Sequence, residues 1–305
     1  MSEDMKQIVI ISGKGGTGKT IITASFASLS KNAIAADCDV DAADLYLLLH
    51  PEIKERHKFK GLPRAEIDQD RCTGCGRCYD VCRFNAVQKK HNCKTAAPQN
   101  QTTRFFIDPL SCEGCKVCYY ACLEDAITMT ESVSGEWFIS ETKYGPMVHA
   151  RLGIAEENSG KLVTIVRENA SSIAVKRNLD LVIVDGPPGI GCPVIASLTG
   201  VDIALIVTEP TLSGIHDMER VIDVARHFGV KTVCIINKYD INLENSKSIE
   251  DWCNKNEIPV LGKIPFDNSV SESIVKGVPI VEYTNSEVTW VIKKIWREIL
   301  KIKEG

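Results

Sequence analysis

Two cysteine runs of one spacing stand in this chain: Cys72-x2-Cys75-x2-Cys78-x3-Cys82 and Cys112-x2-Cys115-x2-Cys118-x3-Cys122. Such a run suits a 4Fe–4S cluster, in which three close thiolates come from one curled loop and the fourth from elsewhere. Zinc sites more often use two separated pairs. Gly74 and Gly114 fit tight loops that offer backbone N–H groups to cluster sulfurs. Upstream, Gly13-Lys14-Gly15-Gly16-Thr17-Gly18-Lys19-Thr20 follows an apolar run and opens a helical one. That is the context of a phosphate-binding loop, whose N–H groups and helix dipole favour an anion. Lys19 is expected to reach the β- and γ-phosphates, and Thr20 to ligate Mg2+. Asp185 ends the apolar run Leu181-Val-Ile-Val, the position of the carboxylate that faces Mg2+ across such a loop.

The elements that must position these residues show as short apolar runs alternating with amphipathic stretches. Strands are expected at Ile8–Ile11, Ala33–Ala36, Leu162–Val166, Leu181–Val184, Ile203–Val207, Thr232–Ile236 and Val260–Lys263. Continuous apolar runs suit strands covered on both faces. Helices are expected at Lys19–Leu29, Ile215–Phe228 and Ser246–Asn256. The pattern predicts an α/β fold with a doubly wound, mainly parallel sheet. The alternation stops near Gly61 and resumes near Gly160, and the cysteine runs fall in the gap. The expected organisation is one discontinuous nucleotide-binding domain, residues 1–61 and 140–305, with an inserted small α+β domain, residues 62–139. The insert reads as an internal repeat. Ala65–Cys72 resembles Phe105–Cys112, and Phe84–Val87 resembles Glu124–Ile127. The polar stretch Lys89–Thr103, which carries Cys93, is expected to be a loop.

Composition narrows the class. The chain has 305 residues, 44% hydrophobic and 25% charged, and a net charge of −4, ordinary usage for a soluble protein. No basic stretch favours nucleic acid. Thirteen cysteines in a chain of this length point to metal binding in a reducing cytoplasm more than to a secreted disulfide framework. No signal peptide or membrane-spanning run is evident.

The segment 62–139 resembles a bacterial two-cluster ferredoxin. That resemblance implies crossed ligation: Cys72, Cys75, Cys78 and Cys122 on one 4Fe–4S cluster, and Cys82, Cys112, Cys115 and Cys118 on the other. Arg83 and Leu123 stand where that family usually has proline after the fourth cysteine. The departure bears on cluster potential and oxygen sensitivity more than on cluster binding.

The octet Gly13–Thr20, with its extra Lys14, resembles the deviant Walker A loop of the MinD/ParA/nitrogenase-iron-protein group. The resemblance implies an Mg2+-dependent ATPase that binds ATP and ADP and works as a homodimer with ATP at the interface. Lys14 would then reach the partner's phosphates. Ala36-Asp37-Cys38-Asp39 resembles the family's first switch, with Asp39 orienting the attacking water and Asp37 supporting the magnesium shell. Asp41 and Asp44 read equally as an acidic first turn of a helix. Gly186–Gly191 would be the second switch. Asn237 would meet the adenine edge, and Ile264-Pro265-Phe266-Asp267 would close over the base, with Pro265 in contact.

The whole chain therefore resembles MinD-superfamily ATPases with an inserted ferredoxin domain. Three roles share that layer: nucleotide-gated electron transfer to a redox partner, assembly of a metallocentre, and a MinD/ParA-like positioning ATPase whose clusters sense redox state. Electron transfer ranks first. The eight-cysteine arrangement holds clusters tightly, and no Cys-x-x-Cys pair for a transferable cluster follows Cys122. Cys192 is expected to pack beside Pro193 as a small hydrophobe, and Cys38, Cys93, Cys234 and Cys253 to be ordinary reduced thiols. The last helix, Glu287–Lys303, is amphipathic and basic. It is expected to pack on the sheet, with membrane contact as the alternative.

Overall fold

The structure is a computed structural model that describes residues 5–91, 103–153 and 159–302; Cys93 lies outside them. The chain opens with β1 (Lys6–Ser12), α1 (Lys19–Leu29), β2 (Ala33–Asp37), α2 (Tyr46–Leu49) and β3 (Glu52–Lys60). The cysteine-bearing stretch follows: β4 (Arg64–Ile67), α3 (Arg77–Asp80), β5 (Val87–His91), β6 (Thr103–Ile107), α4 (Val117–Ala121) and β7 (Ile127–Thr130). Next come β8 (Val133–Thr142), β9 (Gly145–Leu152), α5 (Ser159–Arg177), β10 (Leu181–Pro188), α6 (Cys192–Leu198), β11 (Ile203–Thr208) and α7 (Leu212–His227). The chain ends with β12 (Lys231–Asn237), α8 (Leu243–Lys255), β13 (Val260–Ile264), α9 (Asn268–Lys276), α10 (Ile280–Tyr283) and α11 (Glu287–Lys301).

Compactness divides the described residues into two units. The first lies within Met1–His57, Trp137–Arg151 and Ser159–Gly305; the second lies within Lys58–Glu136 and Leu152–Asn158. The chain passes between them within β3, within β8 and at the end of β9.

Nine strands among the described residues form one sheet in the order β13-β12-β11-β1-β10-β2-β9-β8-β3. The run from β13 to β9 is parallel throughout. β1, β2 and β11 are wholly buried along their apolar residues, as a sheet covered on both faces requires. One core layer joins Ile8, Ile10, Leu205 and Ile235 of the sheet to Phe26 of α1 and to Val288, Ile292, Trp296 and Ile299 of α11. Phe26 and Trp296 meet with ring centroids 4.7 Å apart. Most of the apolar side chains of α11 are thus spent on the core, and its outward side carries Lys294, Arg297 and Lys301 together with the exposed Trp290 and Leu300. No helix among the described residues is long and apolar enough to cross a membrane.

The structure corrects the sequence reading of the fold in three places. Leu162–Val166 is helix, not strand. It lies in α5, where Leu162, Val163, Val166, Ala170 and Ala174 are buried at three- and four-residue spacing. A five-residue apolar run does not show its period, and the later alanines carry it. The alternation also resumes before Gly160. Strands β8 and β9, joined by Lys143 and Tyr144, extend the sheet beyond β2, and β9 pairs with β2 in parallel. Finally, the ends of Lys89–Thr103 are strand, belonging to β5 and β6.

In the second unit, β4 pairs antiparallel with β7, and β5 antiparallel with β6. Each ladder therefore joins one half of the internal repeat to the other. The same exchange recurs in single hydrogen bonds at equivalent positions. Asp68 N donates to Ala126 O at 2.8 Å, and Asp108 N donates to Ala86 O at 2.7 Å. Ala65, Val87, Phe105 and Ile127 form the small apolar core, lined by Cys78, Cys82, Cys112, Cys118 and Cys122.

Candidate functional site

In the first unit, β1 runs buried to Ser12 and the chain turns through residues 13–18 into α1. Gly18 caps α1 in the left-handed region at φ 90. A Cβ there would stand 2.6 Å from Asn237 Nδ2, so only glycine allows the loop to close under the end of β12. Asn237 Nδ2 donates to Thr17 O at 2.8 Å, and its Oδ1 accepts from Lys238 N at 3.0 Å. Asn237 thus ties the loop to β12. Pro265 follows β13, and the next residue, Phe266, donates its N–H to Asp240 Oδ1 at 2.7 Å.

The charged residues converge beneath the loop. Register places Asp185 of β10 opposite Asp37 of β2, and both are fully buried. Thr23 Oγ1 donates to Asp185 Oδ1 at 2.9 Å, whereas Asp185 Oδ2 and Thr17 Oγ1 are buried without a hydrogen-bond partner. Burial pushes the Asp185 carboxyl up, and Lys19 with the hydroxyls of Thr20 and Thr23 pulls it back. Burial, then the neighbouring Asp185 and Asp39 carboxylates, raises Asp37 as well. Asp37 accepts backbone N–H bonds from Asp39 and Leu45, at 3.2 and 3.3 Å, and so shapes the turn that carries Asp39. Lys19 Nζ lies 3.9 Å from Asp39 Oδ2. The Asp39 carboxyl is raised to about 6, by burial against the pull of Lys19. An orphaned, desolvated carboxylate oxygen beside Thr20 suits a divalent cation, and the buried Lys19 beside a glycine loop suits phosphate.

Lys14 turns away from this group. Its Nζ donates to Thr211 Oγ1 at 2.9 Å and lies 3.5 Å from Glu209 Oε2. Beyond the loop, Gly189 N donates to Ser12 O at 2.9 Å, which joins the Gly186–Gly191 segment to the end of β1. Cys192 begins α6 and is exposed, not packed as expected. Proline at the second position turns the chain into the helix and leaves the thiol at its outer end. Cys38, Cys234 and Cys253 are buried. Sequence reasoning missed Thr23, Glu209, Thr211 and Asp240, whose roles depend on long-range approach. It also missed Arg167, a buried α5 residue that donates to Ala196 O of α6, to Thr199 O just past that helix and to Gln7 Oε1 of β1.

In the second unit, the cysteines surround two separate cavities. Cys72, Cys75, Cys78 and Cys122 line one, with Ile67, Phe105 and Ile127 in its wall. Cys82, Cys112, Cys115 and Cys118 line the other, with Ala65, Val87, Ile107 and Met129. Each cavity draws three cysteines from one run and the fourth from the other. Gly74 and Gly114 hold matching left-handed turns, and a Cβ at either would meet a carbonyl oxygen, Thr103 O at 2.6 Å or Pro63 O at 2.4 Å. Burial raises the Cys78 thiol to about 11 and raises Cys118 too. Thiols in such walls ionise against a positive centre. Among the described residues no three His, Cys, Asp or Glu side chains gather tightly enough to hold a single metal ion. The cysteines instead ring cavities, a donor set that fits a polynuclear iron–sulfur group.

A parallel sheet with a glycine loop between its first strand and helix, facing a buried strand-end aspartate, defines a P-loop nucleotide-binding protein. The profile of the CobQ/CobB/MinD/ParA nucleotide binding domain matches residues 8–280, and the chain belongs to that family of MinD/ParA-like ATPases. It is 34% identical over 299 residues to the uncharacterized protein MJ0578 of Methanocaldococcus jannaschii, covering 96% of each chain. It is 24% identical over 298 residues to the septum site-determining protein MinD of Buchnera aphidicola, covering 92% of this chain and 85% of that one. Among solved structures, MinD from Pyrococcus horikoshii complexed with Mg-ADP superposes with a TM-score of 0.58 at 18% identity. The match covers 97% of this chain and 96% of that one, a likeness of fold.

Proposed function

We propose that this protein is a cytoplasmic, ATP-hydrolysing iron–sulfur protein in which nucleotide-driven dimer switching is coupled to two 4Fe–4S clusters for gated electron transfer to a redox partner. The observation that carries this reading is the sorting of eight cysteines into two crossed sets around two cavities, in a chain that also bears a P-loop. In this reading residues 62–139 are a ferredoxin domain inserted into an ATPase domain of residues 1–61 and 140–305. Cys72, Cys75, Cys78 and Cys122 hold one cluster, and Cys82, Cys112, Cys115 and Cys118 hold the other. Bound clusters supply single-electron transfer.

At the nucleotide, residues Gly13–Thr20 bind the phosphates, Lys19 pairs with the β- and γ-oxygens, and Asn237 and Pro265 hold the base. Thr20 and Asp185 would hold Mg2+, with Asp37 supporting that shell, and the ion would offset the charge of the phosphates. Asp39 accepts a hydrogen bond from the attacking water and orients it. Lys14 acts in trans across the homodimer, adding positive charge only when two subunits close. The likeness of Gly13–Thr20, with its extra Lys14, to the deviant Walker A loop of the CobQ/CobB/MinD/ParA family supports this arrangement. Against the positioning alternative stands the commitment of Val288, Ile292, Ile295, Trp296 and Ile299 of α11 to the core, which leaves Trp290 and Leu300 as the exposed apolar residues of that helix.

The test is EPR of anaerobically purified, dithionite-reduced protein, titrated for midpoint potential with and without MgATP. Spin-coupled 4Fe–4S signals whose potential or line shape moves with MgATP are expected. Protein that binds no clusters, or clusters indifferent to nucleotide, refutes the gated-transfer reading.

A further inference from the structure

Glu209 sits just past β11, between two lysines brought from different elements. Lys238 Nζ, from the end of β12, lies 2.6 Å from Oε1. Lys14 Nζ, from the phosphate loop, lies 3.5 Å from Oε2. Thr211 Oγ1 completes the seat of Lys14 at 2.9 Å, while the same oxygen accepts from Gly214 N at the start of α7. The Glu209 side chain is 13% exposed and Lys14 28% exposed. The two arms are unequal. The short arm to Lys238 keeps Glu209 paired whether or not Lys14 is present. Lys14 can therefore leave without stranding a buried carboxylate, the step that makes breaking most buried pairs costly. A bridge built this way releases one specific lysine cheaply.

We propose that Glu209 is a positioning residue for Lys14: it holds that lysine within its own subunit, and dimer closure transfers the lysine from Glu209 to the partner's nucleotide. The proposal rests on the reading of Lys14 as acting in trans. In the solitary subunit Lys14 is then withheld from its own phosphates, which keeps uncoupled hydrolysis low. The energy of the weak arm is subtracted from dimer formation. Glu209→Gln removes the holding charge while keeping the side-chain shape, and Lys238, one-third exposed, can regain water.

The experiment is sedimentation of the whole protein with a non-hydrolysable ATP analogue and Mg2+, for wild type, Glu209→Gln, Lys14→Ala and the double variant. Each is paired with a measurement of turnover against protein concentration. Glu209→Gln is expected to tighten the dimer about five-fold, the ratio matching release of two weak, partly exposed ion pairs, one from each subunit. Lys14→Ala is expected to abolish that gain. Glu209→Asp keeps the charge and is expected to lie close to wild type, which separates the charge from a general effect on folding. If Lys14→Ala suppresses dimer-dependent turnover but Glu209→Gln leaves the dimer unchanged, or tightens it equally without Lys14, the proposal is wrong and the trans role of Lys14 stands. If Lys14→Ala changes neither dimer nor turnover, the trans role itself falls, and this proposal with it.

Discussion

Asp37 and Asp185 are Cα partners in the parallel pairing of β2 with β10, and both side chains are completely buried. Two carboxylates side by side in a desolvated site repel one another, and burial raises both. The site is thus built at a cost to the fold and waits for positive charge. Asp185→Asn keeps an acceptor for Thr23 and removes one of the two charges. It is expected to raise the stability of the nucleotide-free protein by about 1–2 kcal/mol, read as thermal denaturation, while lowering MgATP turnover about a hundred-fold or more. A destabilised nucleotide-free variant would show that Asp185 is a structural anchor.

Lys19 and Lys14 share one loop but face different groups. Lys19 is buried against Asp39, so Lys19→Ala is expected to abolish nucleotide binding or hydrolysis. Lys14→Ala is expected to leave binding of a fluorescent ADP measurable and to suppress only the concentration-dependent part of turnover. Equal loss of nucleotide binding in both variants would place Lys14 on its own subunit's phosphates.

The crossed cavities make the two fourth cysteines interchangeable in kind but not in effect. Cys122→Ser is expected to remove the same EPR signal as Cys75→Ala, and Cys82→Ser the same signal as Cys115→Ala. Bound iron should fall from about eight to about four per chain in each case. Cys122→Ser matching Cys115→Ala would mean uncrossed ligation. The circular dichroism of the nucleotide-binding unit should persist in all four.

His149 is the Cα partner of Asp37 on β9, and its Nε2 lies 2.9 Å from Ser140 Oγ. Burial, then the Arg151 charge, lowers it to about 4 from the ordinary 6.5. Between those values the unfolded chain takes a proton that the folded chain refuses. The contribution is therefore complete above about pH 6.5 and lost as pH falls toward 4, a difference on the order of 3 kcal/mol. His149→Gln should flatten that part of the stability–pH curve relative to wild type. Parallel curves would show that His149 titrates normally.

Trp296 closes the core against Phe26. Trp296→Ala is expected to destabilise the first unit by about 3–5 kcal/mol, measured by denaturant unfolding. If the same substitution lowers sedimentation with anionic vesicles and leaves stability unchanged, α11 serves a membrane surface.

Much of this chain was legible before any fold was built, because its chemistry is carried by local spacing. The loop Gly13–Thr20 and the strand-end Asp185 declare themselves by order alone, since a phosphate loop needs its glycines and lysine within one turn of chain. The two cysteine runs and their repeat are visible for the same reason. The sequence also showed six of the seven parallel strands by their apolar runs; β9 was missed. It misread a segment whose pattern is shorter than its period: Leu162–Val166, expected as strand, is helix by the later turns of α5. The charged edge strand β3 and its amphipathic neighbour β8 were likewise hidden, because strands at the margin of a sheet need not be apolar. Only the tertiary structure decided which groups from distant parts of the chain meet. It set Glu209 between Lys14 and Lys238, opposed Asp37 to Asp185, and sorted the eight cysteines into two rings. Those outcomes depend on strand register and side-chain reach, which arise when the sheet closes and have no counterpart in spacing along the chain.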